Sequence, residues 1–228
     1  MSGHGKSMLI GQVALGLMAQ GEKVCIASME MKPSSTMQRM SRQAFGCNTP
    51  ARRDIKDLHN WTDGRLWLYD QQGEVSPERI LAVGRYCHDR LGITHLIIDN
   101  LLSCGIAEDG YDQQKQFVLS LATHAHDTGQ AVHLLAHSRK GKDELTPPGK
   151  FDVRGSASIT DLADNVFSVW RNRGKELAQD EGSRSKDGEE DALLTVCKHR
   201  HGEWEGRIRL WFDRRSQTYL QSQNEQPK

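Results

Sequence analysis

The segment Ser2-Gly3-His4-Gly5-Lys6-Ser7 is followed at once by apolar residues at helical spacing, and this succession of a glycine loop and a helix decides the fold. Glycines allow backbone N–H groups to surround a phosphate, a lysine can reach the β- and γ-phosphates, and a serine hydroxyl can hold Mg²⁺. The alternative is a chance Gly-Lys-Ser sequence in a flexible terminus, which the amphipathic helix behind it disfavours. We therefore predict a phosphate-binding loop whose nucleotide-binding residues are Ser2, Gly3, His4, Gly5, Lys6 and Ser7, with Ser7 as a ligand of Mg²⁺.

Strands and helices are predicted to alternate after this loop. The predicted strands are 24–28, 66–69, 95–99 and 131–136, and the predicted helices begin near residues 34, 76 and 112. Strands joined by helices predict an α/β fold with a largely parallel, twisted sheet, in which ligands bind at the carboxyl ends of the strands.

The second half of the chain has a different pattern. A strand is predicted at 166–170, and strands at 193–197 and 207–212 flank a turn, which predicts a C-terminal β-hairpin. Residues 138–152 and 174–190 have no apolar periodicity and are predicted to be mobile loops, and 221–228 a disordered tail. We expect a single domain over residues 1–228.

Three polar residues occupy the ends of predicted strands. Asp99 ends the apolar strand His-Leu-Ile-Ile, a pattern typical of a carboxylate delivered to the water shell of Mg²⁺. Glu30 follows the strand 24–28, where it could act as the general base for an attacking water, and His137 follows 131–136, where it could sense a γ-phosphate. The alternatives are a turn aspartate, a solvated glutamate and a histidine with an ordinary hydrogen bond.

Cations in the second half suggest two further sites. Lys198 and Arg200 end a strand at a turn, from which they could reach ATP bound to a neighbouring subunit, and Arg171 and Arg173 are rival candidates. The alternative is a solvated basic end of the hairpin.

A candidate DNA contact follows the first predicted loop. Arg154, Gly155 and Ser156 provide an arginine, a closely approaching backbone and a hydroxyl, which suit contacts to nucleic-acid phosphates without base readout. The alternative for Ser156 is a helix N-cap.

Composition sets broad limits. Positive and negative residues both total 30, so DNA contacts would depend on a local cluster or on a ring of subunits. The five cysteines form no CxxC pair, which disfavours a disulfide framework or a zinc site. No apolar segment is long enough to span a membrane and no signal peptide is recognisable, so we expect a soluble, cytoplasmic protein without a membrane partner.

Six strings in this order resemble the motif set of DnaB- and Twinkle-type hexameric replicative DNA helicases: SGHGKS, CIASMEM, HLIIDN, LLAHSRK, DVRGSASITDLADNVFSVWR and CKHRHG. The resemblance runs from Ser2 to about Tyr219. It implies a RecA-like P-loop NTPase fold, ATP and Mg²⁺ as cofactors, a homo-oligomeric, hexameric ring, and 5′–3′ movement on single-stranded DNA.

The resemblance also implies roles for single residues. It matches Lys6 and Ser7 to Walker A, Asp99 to Walker B, Glu30 to the catalytic base and His137 to the γ-phosphate sensor. It matches Arg154, Gly155 and Ser156 to the DNA-gripping loop, and Lys198 and Arg200 to fingers that reach the adjacent subunit. We expect the first glycine of the loop and the strand before it to precede Met1.

Two other functions are compatible with these residues. One is a RecA- or clock-type ATPase that remodels DNA or protein without unwinding, and the other is an assembly or DNA-binding module that does not hydrolyse ATP.

Overall fold

The computed structural model describes residues 5–138 and 145–227. Ser2, Gly3 and His4 of the predicted phosphate-binding loop, and residues 139–144 of the loop predicted at 138–152, lie outside the described residues. The helices are α1 (Lys6–Ala19), α2 (Pro33–Phe45), α3 (Arg52–Thr62), α4 (Pro77–Leu91), α5 (Tyr111–Thr128), α6 (Ser158–Leu162) and α7 (Arg173–Asp180). The strands are β1 (Val24–Ser28), β2 (Leu66–Leu68), β3 (His95–Asp99), β4 (Ala131–Leu135), β5 (Asn165–Arg171), β6 (Ala192–His199), β7 (Gly206–Asp213) and β8 (Thr218–Leu220).

The first sheet is parallel throughout and has the strand order β2-β1-β3-β4. All five residues of β1 are buried, because helices cover both faces of the sheet. On one face the core contains Cys25 and Leu96, and on the other Val24 and Ile97 pack with Met18 of α1. The predicted parallel α/β core is thus confirmed for these four strands.

The second sheet contains the predicted C-terminal hairpin and extends it by a strand on each side. It has the order β5-β6-β7-β8, and every pairing in it is antiparallel. Short turns join β6 to β7 and β7 to β8, and a chain that reverses within a few residues can only form antiparallel neighbours. The predicted C-terminal hairpin is the β6–β7 pair of this sheet.

Helix α1 connects the two sheets. Its residues Ala14 and Met18 are buried against the first sheet. The Gln12 side chain donates to the Tyr219 carbonyl (2.8 Å) and accepts from the Tyr219 N–H (2.8 Å), as a neighbouring strand would. The start of α1 is therefore fixed from both sides.

Two predictions about irregular segments require correction. Part of the predicted loop at 174–190 is helical, because the Asn172 side chain caps α7 and the buried Lys175 ammonium pairs with Asp191 at 2.8 Å. Residues 221–224 of the predicted disordered tail form bends and a turn, and the Gln221 N–H donates to the Glu225 carboxylate at 2.7 Å. Polar caps of this kind leave no apolar periodicity in a sequence.

None of the helices in the described part of the chain has the combination of length and hydropathy that a membrane span needs.

Candidate active site

The carboxyl ends of β1, β3 and β4 bring the predicted nucleotide residues together. Ser28 pairs with Asp99, and Asp99 with Leu135, so these three strands end at one level. Glu30 follows β1 by two residues and His137 follows β4 by two, and both therefore lie at this edge together with Asp99. The first turn of α1 faces the same edge.

Lys6, Ser7 and Asp99 form the centre of the site. The Ser7 hydroxyl donates a hydrogen bond to the Asp99 carboxylate. Burial raises the pKa of Asp99, and the negative charge of Glu30 adds to this, whereas Ser7, Lys6 and His137 oppose it. Burial likewise lowers the pKa of Lys6, against the attraction of Asp99 and Glu30. The charges of Lys6, Asp99 and Glu30 and the His137 ring therefore influence one another electrostatically.

The residue before Lys6 has to be glycine. Gly5 caps α1 with a φ of 81°, in the left-handed region that other residues rarely adopt. A Cβ atom at this position would also overlap the Tyr219 hydroxyl of β8. Burial raises the pKa of Tyr219 to about 12, so this hydroxyl stays neutral at physiological pH.

Asn100, which the sequence analysis did not single out, lies between Glu30 and His137. Its Nδ2 donates to Glu30 Oε1 at 2.5 Å and lies 3.2 Å from His137 Nε2. Glu30 Oε1 and His137 Nε2 are themselves 4.0 Å apart. Its position directly after Asp99 in the sequence was the one available signal.

Arg39 of α2 is a second residue that the sequence analysis missed. Burial lowers the pKa of its guanidinium, while the negative charge of Asp99 raises it. A half-buried cation near Asp99 is suited to an anionic ligand.

The site suits a magnesium–nucleotide complex in its chemistry. Ser7 and Asp99 provide oxygen donors, the type that Mg²⁺ prefers. The raised pKa of Asp99 indicates that the surrounding cations compensate its charge incompletely, and a divalent cation would complete that compensation.

The three residues predicted to contact DNA lie in one loop, but the Arg154 guanidinium already has a partner. Both Nε and Nη2 of Arg154 bind the Glu108 carboxylate. Gln114 of α5, which is 2% exposed, accepts the Ser156 N–H at 2.8 Å and donates to the Glu108 carbonyl at 3.0 Å. Gly155 has a φ of 113° and packs on this amide.

The helix-cap alternative for Ser156 has partial support. Its hydroxyl accepts the N–H of Ser158, the first residue of α6, at 3.2 Å. The amide of Gln114 and this hydroxyl together fix the loop that precedes α6.

The predicted finger residues contact α6 of their own chain. Lys198 Nζ donates to the carbonyls of Thr160 (3.0 Å), Asp161 (2.9 Å) and Ala163 (2.7 Å). Arg200 donates to the Asp161 carbonyl at 3.0 Å and pairs with Asp164 at 2.8 Å. Both cations therefore satisfy the C-terminal end of a helix, a role that the sequence analysis did not consider. The rivals Arg171 and Arg173 both bind Glu176.

Comparisons with known proteins agree with this geometry. A solved ATPase domain superposes with a TM-score of 0.78 at 19% identity, covering 96% of this chain and 81% of that one. A DnaB-like replicative helicase, solved with its interactions with primase, superposes with a TM-score of 0.72 at 18% identity, covering 92% of this chain and 54% of that one. These likenesses establish the RecA-like ATPase fold that the sequence predicted.

Sequence comparison identifies a curated relative as well. The DNA helicase/primase of Enterobacteria phage T3 is 26% identical over 197 residues, which cover 75% of this chain and 34% of the relative. The chain thus spans about a third of that relative's length. The family model of the DnaB-like helicase C-terminal domain matches residues 1–221. The chain therefore belongs to the DnaB-like helicase C-terminal domain family.

Proposed function

We propose that this chain is the ATP-hydrolysing motor domain of a ring-shaped replicative DNA helicase that translocates on single-stranded DNA. The observation that carries the proposal is the convergence of Lys6, Ser7, Asp99, Glu30 and His137 at one edge of a parallel sheet. These are the groups that ATP hydrolysis needs: a phosphate-binding cation, oxygen ligands for Mg²⁺, a base and a sensor.

The first turn of α1 binds the nucleotide in this proposal. Gly5 presents backbone N–H groups at the start of the helix, where the helix dipole favours anions. Lys6 neutralises the β- and γ-phosphates, and Ser7 and Asp99 would hold Mg²⁺. Bound Mg²⁺ supplies charge neutralisation at the phosphate oxygens.

Glu30 is the proposed general base. Its carboxylate accepts a proton from the water that attacks the γ-phosphorus, while the bond between the γ-phosphorus and the bridging oxygen breaks to release ADP. Half of the Glu30 side chain is exposed, which leaves room for that water. Asn100 holds one oxygen of the carboxylate.

His137 connects this site to the proposed DNA loop. Its ring lies 3.2 Å from the Asn100 amide, and its carbonyl oxygen accepts the Arg154 N–H at 2.8 Å. A change at the γ-phosphate that shifts His137 would therefore also shift Arg154, which must exchange Glu108 for a DNA phosphate.

The proposal also includes the assembly of several copies of this chain into a ring. Lys198 and Arg200 would act on ATP bound by the neighbouring subunit after leaving the carbonyls at the end of α6 that they bind in the single chain. We also propose a cytoplasmic location, because the proposed role in DNA replication implies it. The five cysteines are all free thiols, which agrees with a reducing compartment.

The proposal is tested by replacing Glu30 with glutamine. We expect ATP affinity to stay the same and turnover to fall by roughly 10²-fold or more, because only the chemical step uses the base. Glu22→Gln makes the same substitution before the other end of β1 and should leave turnover unchanged. Equal turnover of Glu30→Gln and the unmutated protein would overturn the assignment of the base.

A further inference from the structure

Asn100 lies directly after β3 and is 1% exposed. Its Oδ1 accepts the N–H of Leu102 at 2.9 Å, which caps the short 3₁₀ helix Leu101–Ser103. Oxygen and nitrogen of an asparagine amide are distinguished by their partners, and this N–H requires an oxygen. The Nδ2 atom must therefore be the one that faces Glu30 and His137.

The two hydrogens of Nδ2 have two acceptors available. One is Glu30 Oε1 at 2.5 Å, and the other is His137 Nε2 at 3.2 Å. Glu30 and His137 are too far apart, at 4.0 Å, for a direct hydrogen bond. The amide nitrogen is thus the group that holds the two side chains together.

This arrangement determines the proton position on His137. An amide NH₂ donates and cannot accept, so the Nε2 atom that faces it must carry a lone pair. A neutral imidazole with a free Nε2 has its proton on Nδ1. A proton on Nε2 would place two donors against each other.

We propose that Asn100 is a positioning residue, which orients the Glu30 carboxylate for the attacking water and holds His137 as the Nδ1–H tautomer. This inference rests on the proposed hydrolysis of ATP at the site. The Asn100 side chain contacts Glu30 and His137, and it acts through these two partners.

Asn100→Asp tests the inference because it keeps the size of the side chain and the oxygen that accepts the Leu102 N–H, and replaces the NH₂ donor with a carboxylate oxygen. The new carboxylate repels Glu30, and it favours the His137 tautomer that carries its proton on Nε2, because that N–H can donate a hydrogen bond to the carboxylate. We expect kcat to fall by roughly 10²-fold, the cost of a misplaced catalytic group, while the affinity for a fluorescent ATP analogue changes by less than about twofold.

The matched control is Asn172→Asp. Asn172 is also buried, its Oδ1 caps a helix by accepting the Lys175 N–H at 3.0 Å, and its Nδ2 donates to a glutamate, Glu189, at 3.0 Å. The same substitution thus removes the same kind of contact away from the proposed site. It should leave kcat and the His137 resonances unchanged.

A second readout does not depend on activity. Long-range ¹H–¹⁵N correlation of the imidazole nitrogens, with His137 assigned from His137→Gln, should show the Nδ1–H tautomer in the unmutated protein and the Nε2–H tautomer in Asn100→Asp. If the unmutated protein hydrolysed no ATP, the proposed function would fail and this readout would still decide the role of Asn100.

Two results would overturn the inference. One is an unchanged kcat together with an unchanged tautomer in Asn100→Asp. The other is an equal loss of kcat and nucleotide affinity, which would indicate that Asn100 only stabilises the local fold.

Discussion

At the scale of single residues, Asp99 holds a carboxylate in a largely buried position. Burial raises its pKa above the ordinary aspartate value, so the folded state binds a proton more tightly than the unfolded state. The stability that this contributes is present below the ordinary value and is lost as pH rises through the folded-state pKa. The ionised carboxylate thus destabilises the nucleotide-free fold at neutral pH. The same carboxylate is the oxygen ligand that suits Mg²⁺.

Asp99→Asn should remove the destabilisation that the buried, ionised carboxylate causes. We expect its melting temperature to exceed that of the unmutated protein by more at pH 8 than at pH 5, as measured by thermal unfolding without nucleotide. Asp213→Asn is the control: burial alone would raise the pKa of Asp213, but hydrogen bonds from Ser216 and Arg215 outweigh it and lower the pKa. This carboxylate is therefore ionised at both pH values, and its substitution should change the melting temperature equally at pH 8 and pH 5. A larger gain for Asp99→Asn at pH 5 would contradict the prediction.

Arg154, the proposed DNA-contacting arginine, is paired with Glu108, and a DNA phosphate would have to compete with this carboxylate. The two side chains are partly exposed, and exposed ion pairs contribute only about 0–1 kcal/mol. We expect Glu108→Gln to raise the affinity for single-stranded DNA by up to about fivefold, because Arg154 no longer has to leave a carboxylate. Fluorescence anisotropy with oligonucleotides of different sequence measures this.

Glu78→Gln removes an equal charge from the exposed start of α4 and controls for the net charge. A similar gain in both variants would mean that Glu108 has no specific effect on Arg154. In the companion variant Arg154→Ala, affinity should fall equally for all sequences and depend less on salt.

The sequence allowed some of these residues to be predicted. Asp99, Glu30 and His137 each follow an apolar strand, and parallel strands end at one edge, so their convergence follows from the pattern. Asn100 had one signal, its place directly after Asp99, but the sequence does not show which side chains its amide contacts. Glu108 could not be predicted, because its partner Arg154 lies in a loop whose path depends on tertiary packing.

At the scale of elements, β3 and β4 are joined by a histidine pair. The rings of His95 and His133 stack with centroids 5.3 Å apart, and His95 Nδ1 lies 2.9 Å from His133 Nε2. Burial, with a further contribution from His95, lowers the pKa of His133 to about 4. Burial also lowers the pKa of His95, although Glu22 opposes it.

This pair predicts a loss of stability in acid. A lowered histidine pKa contributes stability above the ordinary value of about 6.5, and this stability is lost as pH falls through the folded-state value. We expect the free energy of unfolding to drop by about 2 kcal/mol more between pH 7 and pH 5 in the unmutated protein than in His133→Gln. Urea denaturation at the two pH values measures it, and equal drops in both proteins would contradict the prediction.

Elements with an apolar period were predictable, and elements held by polar contacts were not. Strands β1 and β3 each contain an uninterrupted run of apolar residues, which predicted them with their observed bounds. Helix α3 escaped prediction because only Leu58 of its apolar residues is buried. Helix α7 escaped because an asparagine cap and a buried lysine stabilise it.

At the scale of the whole molecule, our proposal is that a neighbouring subunit in a ring completes the site. The single chain supplies the phosphate-binding residues and the base, while Arg200, the proposed finger, binds the end of α6. The sequence could not show this intrachain contact, because the end of α6 and the hairpin are distant along the chain. Its release towards a neighbouring subunit is the step that would link ATP hydrolysis to assembly.

The most direct test of this account mixes Arg200→Ala subunits with Lys6→Ala subunits and measures ATP hydrolysis. Neither variant alone should be active, since a finger supplies on the order of 10³-fold in rate and the lysine is needed for binding. In an equal mixture, about a quarter of the interfaces combine an intact Lys6 with an intact Arg200. The matched variant Arg173→Ala should be active without mixing. The account predicts partial recovery of turnover in the mixture, whereas an Arg200→Ala ring that hydrolyses ATP at the unmutated rate would contradict it.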